Sequence, residues 1–211
     1  MSKKRYAARV PRTANGFRAQ ELRNVPRGAW WAKRWLQAID ALRLGARAGR
    51  GRLYAERGQV LALSASGSHV EATVLGCRPD PYTVKIDFRP LPGKGLTSKK
   101  EAMIIGRILA GEMPIAVEEM FAQQGLSPYP TLGVDRFWCS CPDWSKPCKH
   151  IAAALYLIGD ALVRDPAILL RLRGVEPILR SSGESVLPLW KGTMKLSGTL
   201  EGIYRRVGVV V

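Results

Sequence analysis

Cys139, Cys141, Cys148 and His150 fall within twelve residues, in the pattern C-x-C-x6-C-x-H. Nothing else in the chain limits its fold so tightly. Zinc takes four nitrogen or sulfur ligands tetrahedrally, so two ligand pairs joined by a six-residue loop can close around one ion. Val134 to Cys139 reads as a strand. Behind His150, the residues Ile151, Leu155, Ile158 and Leu162 recur at helical spacing, which predicts a helix over 148–163. Positions i and i+2 lie ~200° apart on a helix. Cys148 and His150 can therefore converge only if Cys148 is the cap residue, with non-helical backbone angles. The partial positive charge of a helix N-terminus favours thiolates there. Lys146, Lys149 and Arg136 are close in sequence to offset the formal negative charge of a Cys3His zinc site.

Protein atoms would fill all four positions, leaving none open for a substrate, so the expected cofactor is one structural Zn2+. A thiol catalyst built on Cys148 and His150 is disfavoured, because nucleophile and base normally meet from distant sequence positions. A redox C-x-C site would need an exposed thiol of low pKa. Trp138 and Trp144 flank the ligands and are expected to pack a dry shell around them.

The segment from Val134 to Gly159 resembles the SWIM zinc-finger family. It has an aromatic residue before the first Cys, C-x-C, a short loop, C-x-H, and the trailing helix Ile151-Ala152-Ala153-Ala154-Leu155. The resemblance implies that Cys139, Cys141, Cys148 and His150 are the metal ligands. The basic N-terminus, the hairpin after residues 51–54, and Asp165-Pro166 followed by Leu170-Arg171-Leu172-Arg173-Gly174 look like stand-alone bacterial members, whose genes often neighbour Snf-type helicases. That likeness implies DNA binding or protein–protein contact, with such a helicase as a candidate partner. The chain carries no helicase or transposase motif.

Charge points to the same partner class. The 33 Lys and Arg residues face 17 acids, a net of +16. Residues 1–52 hold 14 basic residues and two acids, Glu21 and Asp40, so they account for +12. Arg outnumbers Lys by 22 to 11, and Arg can grip phosphate through two parallel hydrogen bonds. An asymmetric basic segment favours a polyanion. Arg18, Arg23, Arg27, Lys33, Arg34, Arg47, Arg50 and Arg52 are the candidate contacts, with DNA preferred over RNA and low sequence specificity. The alternative is a protein adaptor, motivated by the apolar helix 148–163 and an apolar C-terminal tail. Two histidines leave little for acid–base chemistry, so no enzyme and no small-molecule substrate is expected. No apolar run reaches 18 residues and no secretory leader is evident, which predicts a cytoplasmic protein without a membrane span.

The remaining pattern predicts an α+β protein in four parts. Residues 1–27 form a basic arm. Residues 28–130 hold a helix, a three-stranded antiparallel sheet and two short helices. Residues 131–174 form the zinc unit, and 175–211 a tail. Trp31, Trp35, Ile39 and Leu42 put one apolar face on a helix over 28–44. Residues 47–52 read as an Arg/Gly linker. Strands are expected at 59–63, 69–76 and 82–88. Helices are expected at 98–110, with Ala102, Ile105 and Leu109 inward, and at 114–124. A short helix capped by Asp165-Pro166 runs through Leu172, and Cys77 and His69 are read as a structural thiol and a solvated turn residue.

Overall fold

The computed structural model describes residues 11–92 and 98–175. The first ten residues, part of the 90–97 loop and the tail from 176, including the strand-like run Val207–Val211, lie outside the described residues. The chain order is α1 (Trp30–Ala41), α2 (Ala46–Glu56), β1 (Val60–Ser66), β2 (His69–Val74), β3 (Tyr82–Asp87), α3 (Lys99–Leu109), α4 (Ala116–Ala122), β4 (Arg136–Cys139), α5 (Lys149–Arg164) and α6 (Ala167–Leu172). The α+β class holds.

The sheet has four strands rather than three, all antiparallel, in the order β1-β2-β3-β4. The added strand is the one that leads into the ligands, and Cys139 sits opposite Val84. Strand alternation sends Val70, Ala72, Val74, Val84 and Ile86 into the core, while Glu71, Lys85, Arg136 and Trp138 face outward.

Helix α5 packs on the inner face of this sheet, and α1 and α2 pack on α5. Every residue from His150 to Asp160 is buried. A helix buried along most of its length belongs in a core; the apolar surface left beside it is a groove where Ile158 and Ala161 meet Leu63, Ala65, Ile168 and Leu172. Trp31, Trp35, Ile39 and Leu42 are buried, as their spacing predicts. The Trp31 indole donates to Leu162 O at 2.6 Å and the Trp35 indole to Leu155 O at 2.9 Å, so two large rings enter the core without an unpaired N–H. Gly159 makes room for Trp35: a Cβ there would come within 2.9 Å of the indole.

Two expectations, the 47–52 linker and the inward Ala102, are corrected for physical reasons. Residues 47–52 are not a linker but the middle of α2. Their glycines lower helix propensity, yet Gly51 lets α2 cross α5 so closely that a Cβ would overlap Ala152 and lie 2.9 Å from Lys149 O. Tertiary packing overrides the local preference. The basic arm is docked on the body over residues 11–27. Gly16 and Phe17 donate to Gly58 O and Val60 O at 2.9 and 2.8 Å, and the buried Asp160 carboxylate accepts from the backbone N–H groups of Gln20 and Glu21 at 2.7 and 2.6 Å. Helix α3, capped by a Ser98/Glu101 capping box, buries Ile104 and Ile108 and leaves Ala102 exposed. Two adjoining i,i+4 stripes face inward, Ile104 and Ile108 fully and the predicted Ile105 and Leu109 partly buried against the core.

A fully buried ion pair joins the three chain segments around the zinc unit. Arg173 donates to Asp135 at 2.6 Å, to Tyr129 O at 2.5 Å and to Arg89 O at 3.1 Å. The Asp135 carboxylate also accepts from the Arg89 and Thr131 backbone N–H groups. Arg173→Met would leave a buried carboxylate without its cation, at a cost of ~3–5 kcal/mol. Gly51→Leu would force α2 away from α5, at a cost of ~1–3 kcal/mol. Urea unfolding of the two variants should show midpoints below wild type, with Arg173→Met the lower. A midpoint unchanged in either would remove the role given to that residue.

Candidate metal centre

Strand β4 ends at the first ligand. Beyond it, Ser140 donates its backbone N–H to Thr83 O and accepts from the Thr83 N–H through its hydroxyl, both at 3.0 Å. This double tie holds Cys139 and Cys141 beside β3. The second pair opens α5. Cys148 is its N-cap, with φ −95° and ψ 176°, and His150 is the second helical residue. The extended cap is the backbone that spacing alone demanded of Cys148.

The four donor atoms lie within 4.8 Å of one another, and all four residues are buried. His150 Nδ1 is 3.8 Å from the sulfurs of both Cys139 and Cys148. Ligand bonds of about 2.3 Å to sulfur and 2.0 Å to nitrogen, at a tetrahedral angle, separate such atoms by roughly 3.6 Å. The protein therefore brings the donors to zinc spacing with Nδ1 as the imidazole ligand. Three thiols and one imidazole are a soft set that suits Zn2+ rather than Mg2+ or Ca2+.

The surroundings prepare the thiols to give up protons. A hydrogen bond from the Cys139 thiol, followed in strength by His150 and the Ile151 backbone N–H, holds the Cys148 thiol far below its ordinary pKa despite burial. Cys139 is pushed up in turn, first by that shared hydrogen bond and then by burial. Lys146 Nζ lies 3.6 Å from Cys141 Sγ and donates to Cys139 O at 3.1 Å, a fixed positive charge beside the thiolates. Tyr82 lies against the imidazole at 4.6 Å between ring centroids, and Tyr54 meets it edge-on at 5.6 Å. His150 Nε2 is buried with no hydrogen-bond partner among the described residues. The ring is oriented by aromatic packing rather than by the carboxylate or carbonyl that usually serves this purpose. Gly76 permits this, since a Cβ there would press on Tyr82 at 2.7 Å and on Nε2 at 3.3 Å.

The structure divides the eight predicted nucleic-acid contacts. Arg23 pairs with Glu56, Arg34 with Glu118, Arg47 with Asp143 and Arg52 with Glu56, at 2.7–3.6 Å. Arg47 thereby ties α2 to the loop between the second and third ligands. Arg18, Arg27, Lys33 and Arg50 are exposed, with no acidic group in ion-pair distance among the described residues. Arg50 is exposed on α2 and Arg57 just past its end, and Arg18 reaches Gly58 beside them. His69 is exposed, as expected, but pairs with Asp87 at 2.7 Å. The dry shell expected from the flanking tryptophans is absent: Trp144 is 90% exposed and Trp138 50% exposed. Tyr54 and Tyr82 take that role instead. They come from elements far away in sequence, and no local signal marks them.

Residues 131–159 match the SWIM zinc finger family. The chain is also similar to the uncharacterized protein Rv2102 of Mycobacterium tuberculosis, with 37% identity over 171 residues, covering 76% of this chain and 60% of that protein. The chain thus spans about 60% of the length of this curated relative. No solved structure matches. No helix among the described residues is long and apolar enough to cross a membrane.

Zinc at such a site supplies folding free energy, of order 10–16 kcal/mol apparent in finger peptides. Cys148→Ser should abolish stoichiometric zinc and reduce helical circular dichroism, because α5 starts at that residue. Metal analysis of the purified variant checks the first outcome. A folded variant with one zinc per chain would refute the ligand assignment.

Proposed function

Starting from a chain that carries a SWIM zinc finger at residues 131–159, we propose a non-enzymatic module that uses zinc to hold a basic surface against nucleic acid, DNA before RNA, with little sequence preference. The observation that carries this reading is the division among the arginines. Arg23, Arg34, Arg47 and Arg52 pair with acids of the chain itself, whereas Arg18, Arg27, Lys33 and Arg50 keep their charge for an outside partner. Together with Arg57, the residues Arg18 and Arg50 are exposed on α2 and the segments beside it. Phosphate contacts of this kind give affinity and register but carry no base information. A metal with four protein ligands has no vacant position for catalysis, which supports a structural role. The cluster of reduced thiols supports a cytoplasmic setting.

The adaptor reading, with a Snf-type helicase as partner, keeps as its motive among the described residues only an apolar groove beside the last turns of α5. Helix α5 is otherwise enclosed by the sheet, α1 and α2, and the apolar tail falls outside the described residues.

Zinc-loaded protein titrated with fluorescent DNA at several salt concentrations should show log affinity falling linearly with log salt. Changing Arg18, Arg50 and Arg57 together to Gln should weaken binding to all sequences. The slope should fall by roughly one unit for each phosphate no longer neutralised. Because these side chains are exposed, zinc content should not change. No binding by the wild type at low salt would overturn the reading. A stoichiometric protein partner that survives nuclease treatment would replace it with the adaptor.

A further inference from the structure

Two of the six tryptophans are placed against the usual economy of the residue. Trp31 and Trp35 are buried with their indole N–H groups bonded, and half-buried Trp30 donates to Met113 O at 3.0 Å. Trp144, by contrast, is 90% exposed and Trp138 50% exposed. Tryptophan is highly buried on average, so a ring left 90% exposed is unusual for its type.

Both are held by rigid backbone beside the metal cluster. Trp138 immediately precedes the ligand Cys139 and stands opposite Lys85 on the outer face of the sheet. Trp144 lies in the six-residue loop closed at its ends by Cys141 and Cys148. Asp143 fixes that loop by accepting from the Ser145 N–H at 3.1 Å and pairing with Arg47, and Lys146 ties it back to Cys139 O. Ordering has thus been achieved before any ligand arrives, which lowers the cost of binding.

The surrounding charge selects the ligand. The one acid of the loop, Asp143, is matched by Arg47, and on the sheet face Glu71 is matched by Lys85 while Asp87 is hydrogen-bonded to His69. Exposed Arg136, two residues before Trp138 and in register with Asp87, has no ion pair among the described residues, whereas Lys146 is held at the thiols. A flat aromatic face amid cations suits a base with its phosphate. In a duplex the base faces are already stacked on one another, so an indole fixed on a protein surface can engage only an unpaired base.

We propose that Trp144, with Trp138 as a second contact, forms a stacking platform for unpaired bases, so that the zinc loop recognises single-stranded nucleic acid. This proposal rests on the nucleic-acid reading above and assigns it a strand preference.

The test uses the full zinc-loaded chain at one moderate salt concentration, with a labelled oligothymidylate and a labelled duplex of the same length. Trp144→Ala should weaken single-strand binding about tenfold, Trp144→Phe should keep most of it, and duplex binding should stay as in wild type. Unchanged zinc content and circular dichroism are expected for an exposed side chain and show that the fold is intact. If Trp144→Ala and Trp138→Ala bind oligothymidylate as wild type does, while the arginine variant still weakens binding, the stacking platform is overturned and the phosphate reading stands. If wild type binds neither probe, both fall. If the tryptophan variants lose a co-purifying protein but no nucleic acid, the surface is a protein contact and the proposal is wrong.

Discussion

Four donor atoms must meet within a few ångströms, and that requirement fixes the end of one strand against the start of one helix. β4 delivers Cys139 and Cys141, and the first turn of α5 delivers Cys148 and His150. Since α5 is also the helix on which the sheet, α1 and α2 all pack, the metal cluster sits at the head of the core rather than on an appendage. The cap geometry of Cys148 and the lysine beside Cys141 serve the same end, the first by aiming a ligand and the second by placing positive charge next to the sulfurs.

The sequence displays the local parts of this design and hides the distant ones. C-x-C-x6-C-x-H constrains its own backbone, so the strand, the cap and the helix could be read from spacing. The apolar periods of α1, β2 and β3 were legible for the same reason, since each is half of an interface. Gly51 was misleading: in a run of Arg and Gly it signals flexibility, yet it stands at the closest approach of two helices. Asp135 and Arg173 are 38 positions apart, and nothing in either neighbourhood indicates that they bury a charge together. The same holds for Tyr82 and Tyr54, which surround an imidazole from other parts of the chain.

The basic first quarter of the chain is less uniform than its net charge implies. Some of its cations staple the fold together: Arg47 reaches the metal loop, and Arg52 donates to Leu22 O at 2.5 Å as well as pairing with Glu56. Others face solvent. A charge count identifies the class of partner, but only the ion pairs show which cations are left to meet it.

The Asp135–Arg173 pair also bears on how this finger could travel between proteins. The stretch that matches the family ends at residue 159, short of Arg173, and its strand hydrogen-bonds to β3, far upstream. Cut at those limits, the piece would carry an acid stripped of its counter-ion and a strand open along both edges. The finger is therefore an inlay cut to fit its setting rather than a cassette, and homologous exchange would have to move the distant arginine and the neighbouring strand along with the four ligands.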